Sequence, residues 1–334
     1  MKTFKETRDF KSILGQDQIK KQLRSALIMD RNIMLVGPPG IGKTTLAKNV
    51  AELLPEIEAN DCEFNCDPKN PLCPSCKAEK KKTKKIKGVQ RFVRIQGSPD
   101  LTVEDLIGDI DPIKAIKFGP LSLEAFTPGK IFKANRGVLF FDEINRCPEK
   151  LQNALLQVLE EKRVTIGSYD FEFPADFIFI GTMNPEDFAG TEKLSEVFLD
   201  RFDLIYMRYP ETLDIEKEIV DNKSNKLDEI EFPEKLLDKT IMFIRLLRQS
   251  SELERFPSVR ASIGLYERAL SNAYISGRKK VIEEDIFEAV ISVISHRIRL
   301  KPSVKYVKTA EEFLKEKFKD FENKEGNSES GDLP

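Results

Sequence analysis

Residues 32–44, NIMLVGPPGIGKT, restrict the fold more than any other stretch of the chain. An apolar run of strand length leads directly into Gly37-Pro38-Pro39-Gly40-Ile41-Gly42-Lys43-Thr44, the pattern G-x-x-x-x-G-K-[ST]. Its glycines permit a tight turn that aims backbone N–H groups inward at phosphate oxygens. The helix expected to follow, from about Lys43 to Leu54, adds the positive end of its dipole. Lys43 then reaches the β- and γ-phosphates of a nucleotide and the Thr44 hydroxyl suits Mg²⁺, with Thr45 beside it in the first helical turn.

A strand–loop–helix unit needs a parallel sheet to sit in, and the sequence supplies one. Residues 91–96, 138–142, 176–181 and 203–208 are strand-like and largely apolar, as in strands covered on both faces. Between them Leu151, Ala154, Leu155, Val158 and Leu159 form a helical stripe behind Pro148. The predicted class is α/β, a P-loop core with a five-stranded parallel sheet. The strand VLFFD runs into Asp142 and Glu143. Carboxylates at the end of a buried strand need a partner, because unpaired buried charge is costly. Beside a P-loop, Asp142 suits Mg²⁺ and Glu143 suits a general base that polarises an attacking water. The plainer reading is two acids at a solvated strand end.

After Pro210 the pattern turns helical. Tyr266, Ala269, Leu270 and Ala273 form one stripe, Ile286, Phe287, Val290, Ile291 and Ile294 another, and Leu314, Phe318 and Phe321 a last one. This divides the chain into an α/β nucleotide-binding domain over 1–210 with an insertion at 60–88, a small all-helical lid over 211–320, and a disordered tail over 321–334. The net charge of −2 excludes a broad positive field for nucleic acid. The N-terminus lacks the apolar stretch of a secretory signal, and no run approaches the ~18 apolar residues of a membrane span, which predicts a cytoplasmic chain.

Four of the five cysteines fall in the spacing Cys62-x₃-Cys66-x₆-Cys73-x₂-Cys76. Four thiolates make a closed tetrahedral site suited to structural Zn²⁺. A Cys₄ iron–sulfur cluster and a metal-free loop are the competing readings. Pro68, Pro71 and Pro74 keep the segment out of regular helix, and Cys147 stands apart as an inert thiol. The lysine-rich run 77–87 reads as a solvated loop balancing the thiolates and Asp61, Glu63 and Asp67. It lacks the interleaved aromatics of a base-stacking surface, so a nucleic-acid handle is the weaker reading.

Taken with Leu14-Gly15-Gln16, GVLFFDEINR (137–146), GTMNP (181–185), LDRFD (199–203) and PSVRA (257–261), the P-loop makes the chain resemble AAA+ ATPases over about residues 10–300. The branch it resembles holds magnesium chelatase subunit I and the MoxR proteins. The resemblance implies that Asn184 is the polar sensor beside the γ-phosphate and that Arg201 is an arginine finger completing a neighbouring subunit's site. It implies that Arg260 is a second sensor on the lid and that Ile13 and Leu14 line the adenine pocket. A finger supplied to a neighbour needs a head-to-tail interface, and the family closes such interfaces into hexamers. Residues 109–129 and 163–174 match the family's pore insert and the hairpin before the first sensor. A C-x-x-x-C-D-P stretch also occurs in chelatase subunit I, where it need not bind metal. The implied function is a Mg-ATP-hydrolysing ring motor that remodels a protein partner, usually one with a von Willebrand factor A domain. The alternative is a nucleic-acid-stimulated, helicase-like motor.

Overall fold

The computed structural model describes residues 4, 10, 12–79, 81–119, 122–165, 172–184 and 194–329. Five parallel strands form the central sheet: β1 (Asn32–Val36), β2 (Phe92–Gln96), β3 (Gly137–Asp142), β4 (Phe177–Met183) and β5 (Phe202–Tyr206). Their order is β5-β1-β4-β3-β2, with all neighbours parallel. The apolar runs predicted a sheet covered on both faces, and β3 is buried along its whole length. Helices α1 (Asp17–Ile28), α2 (Lys43–Glu52) and α3 (Glu149–Glu161) belong to this layer. The α3 stripe Leu151, Leu155, Val158 and Leu159 joins Leu139, Phe141 and Phe179 in one core.

Three excursions leave the sheet. Ile57–Asn60 pairs antiparallel with Thr83–Ile86 and frames the cysteine segment. Gly108–Ile110 pairs with Phe126–Pro128, and a helix, Pro112–Phe118, stands between them. Arg163–Thr165 pairs with Glu172–Pro174 as the predicted hairpin, whose Gly167-Ser168 turn lies outside the described residues.

The chain divides into two compact units, one of Met1–Pro38 with Gly42–Met207, the other of Pro39–Ile41 with Arg208–Pro334. The second unit is built from α4 (Leu213–Lys223), α5 (Glu234–Arg248), α6 (Val259–Ile275), α7 (Glu283–Ile294) and α8 (Ala310–Glu329). Leu265, Leu270, Ile286, Val290 and Phe318 fill its core. A two-stranded pair, Leu253–Arg255 with Arg299–Leu300, adds to the helices.

Two local expectations change. The disordered tail expected from residue 321 does not begin there, because α8 runs on to Glu329. Its apolar stripe holds that helix down: Phe318 is buried, and Phe321 packs on Phe243 with ring centroids 5.7 Å apart. The lysine run is not wholly a loop either. Thr83–Ile86 is a strand, since pairing with Ile57–Asn60 satisfies its backbone while its lysines stay exposed.

Candidate active site and cysteine knuckle

Gly37 follows β1, Glu143 follows β3 and Asn184 follows β4, so three adjacent parallel strands deliver the site residues to one edge of the sheet. Ligands bind along this carboxyl edge in open α/β sheets. The Gly37 N–H donates to Met183 O at 3.3 Å, joining the start of the loop to the end of β4. Gly40 and Gly42 have φ of 76° and 96°, left-handed values that a side chain resists. Gly42 starts α2 without any side-chain cap, which leaves the helix's first N–H groups to a ligand. Lys43 Nζ donates to Gly37 O at 2.5 Å and Pro38 O at 2.9 Å. Phosphate oxygens would compete for the same ammonium.

The acids are held tightly. Asp142 is buried; its Oδ2 accepts from Arg94 Nη2 at 2.6 Å, and its Oδ1 from the Thr182 hydroxyl at 2.7 Å. The same hydroxyl oxygen accepts from the Glu143 N–H at 2.9 Å. Glu143 has φ 55°, strained for a residue with a side chain, and its Oε2 accepts from Gln96 at 3.2 Å and Arg146 at 3.0 Å. Gly97 must be glycine for this packing: a Cβ there would lie 2.1 Å from Glu143 O. Thr44 offers a hydroxyl and Asp142 a carboxylate, hard oxygens of the kind Mg²⁺ takes one or two at a time.

Thr182, Arg94 and Gln96 escaped the sequence reading. Arg94, a lone cation inside an apolar strand, was the available signal. Asn184 is buried at the end of β4, and Pro185 after it lies outside the described residues. Ile13 approaches the loop, since a Cβ on Gly42 would meet its Cδ1 at 3.4 Å, while Leu14 is half-buried. Hydrogen bonds between Ser12 and Asn49, at 2.9 and 3.2 Å, tie this segment to α2.

Arg201 is not part of its own chain's phosphate edge. It immediately precedes β5, which runs parallel to β1 with Asn32 opposite Phe202 and Val36 opposite Tyr206. At ~3.3 Å per strand residue, that sets its backbone well over 10 Å from the carboxyl edge. Arg201 pairs with Glu160, donates to Val197 O at 2.9 Å, and lies 3.8 Å from Asp200. Asp203 pairs instead with Arg31 at 3.0 Å. Arg260 is exposed in the first turn of α6, in the helical unit.

The four thiols of Cys62, Cys66, Cys73 and Cys76 gather with all sulfurs within 4.8 Å of one another. A Zn–S length of ~2.3 Å gives tetrahedral sulfur–sulfur edges of ~3.8 Å, so a small contraction closes the site. Backbone N–H groups of Cys66, Leu72 and Cys73 point at sulfur: the first at Cys62 Sγ (3.5 Å), the others at Cys66 Sγ (3.3 and 3.4 Å). A hydrogen bond from Cys66 lowers the Cys62 thiol to about 5, and the same contact and burial push Cys66 up. Burial raises Cys76 to about 12. Pro74 opens a short helix, Pro74–Ala78, that carries Cys76; a proline fits a first helical turn, so the segment is not wholly irregular as expected. Cys147 is buried in the sheet's core.

Family models agree with this geometry. Residues 9–86 match magnesium chelatase subunit ChlI, residues 75–204 match the ATPase family associated with various cellular activities, and residues 255–316 match the AAA lid domain. The magnesium-chelatase subunit ChlI homolog of Methanocaldococcus jannaschii is 33% identical, over 88% of this chain and 86% of its own. This chain belongs to the magnesium chelatase subunit I and MoxR branch of the AAA+ ATPases. Chaperone MoxR1 of Mycobacterium tuberculosis is 27% identical over 86% of this chain and 73% of its own. Among solved structures, a complex of the magnesium chelatase subunits BchI and BchD superposes with TM-score 0.50 at 22% identity, covering 89% of this chain and 98% of that one. That likeness bears on fold alone. No helix among the described residues is long and apolar enough to cross a membrane.

Proposed function

We propose that this AAA+ protein hydrolyses Mg-ATP as a subunit of a hexameric ring and uses the cycle to remodel a protein partner. The observation that carries the reading is the edge where Gly37, Asp142, Glu143 and Asn184 meet at the ends of adjacent strands. Lys43 and the loop N–H groups hold the phosphates, with Pro38, Pro39 and Ile41 shaping the loop and Ile13 and Leu14 against the adenine. Thr44 and Asp142 hold Mg²⁺, which when bound neutralises charge on the β- and γ-phosphates. Glu143 takes a proton from the attacking water, and the Asn184 amide orients that water. Arg260 reads the γ-phosphate from the helical lid, taken as residues 211–320 beside a nucleotide domain of 1–210.

Arg201 acts in trans in this reading. Its place before β5, away from its own loop, supports that role, and a finger of this kind contributes ~10³–10⁵ in rate. A structural zinc ion at the four cysteines completes the cofactor set. The partner is a protein with a von Willebrand factor A domain, in metal insertion or protein maturation, and the setting is the cytoplasm. The chaperone name of the relative MoxR1 supports a protein client. So does the insert helix Pro112–Phe118, which exposes Ile113 and Ile116 by 80% and 90%. Apolar tips suit protein better than a phosphate backbone.

Mixing subunits tests the ring. Lys43→Ala and Arg201→Ala should each be inactive alone and regain part of the phosphate release when mixed, since one supplies the loop and the other the finger. No recovery on mixing defeats the trans finger. Capture on a Glu143→Gln bait, followed by mass spectrometry, tests the client. Recovery of nucleic acid instead, with ATPase stimulation that falls steeply with salt, replaces the protein client with the helicase-like reading.

A further inference from the structure

The cysteine segment has almost no core of its own. Among the described residues, Phe64 and Leu72 are the hydrophobic side chains that pack with the four cysteines. Phe64 lies inside the first ligand loop, between Cys62 and Cys66, so whatever orders the thiols also fixes this ring. Its ring does not turn back on the thiols alone. It meets Phe132 edge-on with centroids 5.2 Å apart and stacks on Phe173 at 5.8 Å. Phe132 in turn meets Phe173 at 5.6 Å and Phe126 at 5.8 Å.

These four phenylalanines come from separate pieces of chain. Phe126 is on the returning strand of the helix-bearing insert, and Phe173 is on the returning strand of the 163–174 hairpin. Phe132 is on the short helix Lys130–Lys133 that leads to β3. The Pro74–Ala78 helix also packs against the Leu123–Ala125 turn at the base of the insert. Polar clasps repeat the connection. Asn65 Nδ2 donates to Lys133 O at 3.1 Å, Asn135 Nδ2 to Phe64 O at 3.0 Å, and Arg136 Nη1 to Glu58 O at 3.0 Å. Asp67 lies 3.6 Å from the Arg136 guanidinium.

We infer that the metal-ordered knuckle is a brace, with Phe64 as the positioning residue through which it seats both the helix-bearing insert (108–128) and the 163–174 hairpin on the sheet. The inference rests on the zinc reading for what orders the knuckle, and on the ring contacts for what the knuckle holds. Ligand-ordered loops with little core unfold when the metal leaves. Here the loss would spread, because the ring that fills the joint between the two excursions leaves with the loop.

The test uses the full-length chain and reads metal content and hydrogen exchange together. Elemental analysis should find one zinc per chain. Zinc removal with a thiol-reactive mercurial and a chelator should speed exchange roughly tenfold in the insert and hairpin strands as well as in the knuckle, leaving β1 and α2 protected. Phe64→Ala should keep its zinc and its nucleotide affinity, yet show the same faster exchange in the two excursions. Phe64→Leu, which refills part of the slot, should restore part of the protection. Faster exchange confined to residues 57–86 after zinc removal, or unchanged excursions in Phe64→Ala, overturns the brace. Iron with sulfide, or no metal, overturns the zinc reading alone, and the Phe64→Ala result then still decides the brace.

Discussion

Two carboxylate–arginine pairs, one in each unit, show what burial does to the same chemistry. In the helical unit Glu216 is fully buried and Arg248 nearly so, at 0% and 8% exposure of their side chains. Arg248 grips both Glu216 oxygens at 2.7 Å, the Ser262 hydroxyl donates to Oε1 at 2.6 Å, and Arg245 stands 3.5 Å from Oε2. The guanidinium also donates to Pro257 O at 2.8 Å and lies 4.5 Å from the centre of the Tyr209 ring. On the sheet's edge Asp142 is nearly as buried, but its partner Arg94 is 49% exposed. The first pair is saturated from all sides by the fold itself. The second can exchange its partner for a ligand, which is what a reacting edge needs.

The largest effect expected from this contrast is chemical and belongs to the edge. Glu143→Gln keeps the shape of the side chain and an oxygen that can accept from Gln96 and Arg146, but removes the carboxylate proposed as the base. Phosphate release should fall by ~10²–10⁴-fold, with nucleotide binding and the melting temperature unchanged. Steady-state phosphate release and a thermal melt measure the two halves. A large drop in melting temperature alongside the rate would make the edge structural after all, and the contrast would fail.

Next in size is a stability effect in the helical unit. Glu216→Ala leaves the buried Arg248 charge without its carboxylate, and breaking a buried pair this way costs about 3–5 kcal/mol. Denaturant unfolding followed by circular dichroism measures it. Replacing both members, Glu216→Leu with Arg248→Met, should lose less than the single variant, because no charge is left unpaired. A double variant no better than Glu216→Ala would mean that the pair is needed for more than mutual neutralisation.

Not all of this contrast was legible in the sequence. The placing of the loop at 37–44 and of the acids at 142–143 at strand ends was, because each motif is contiguous with the apolar run of its own strand. The sheet was legible because strands buried on both faces read as apolar runs. Arg94 and Thr182 were not: they reach Asp142 from residues 48 and 40 positions away, and only the register of three strands brings them level. Phe64 was hidden for the same reason, since a phenylalanine between cysteines says nothing about rings at 126, 132 and 173. The cysteine spacing announced a cluster but not what it leans on. The stripe of Leu314, Phe318 and Phe321 was legible, but its helix runs on to Glu329 through residues whose polar composition carries no apolar periodicity.

The smallest effect sharpens the contrast most. Arg94 is half exposed, so Arg94→Ala should change global stability by no more than ~1 kcal/mol, the usual range for exposed pairs. Its effect should appear instead in the site. Arg94 holds Asp142 Oδ2 at 2.6 Å and so competes with a cation for this carboxylate. Removing the guanidinium frees that oxygen and leaves Thr182 to orient the other. Mg²⁺ should then bind the ATP-loaded chain a fewfold more tightly, read directly by calorimetric titration of the Glu143→Gln background, where no turnover interferes. Weaker Mg²⁺ binding would mean that Arg94 aims the carboxylate rather than competing for it. A loss of stability comparable to Glu216→Ala would place the edge pair in the same class as the buried one, and exposure would no longer separate a reacting carboxylate from a structural one in this fold.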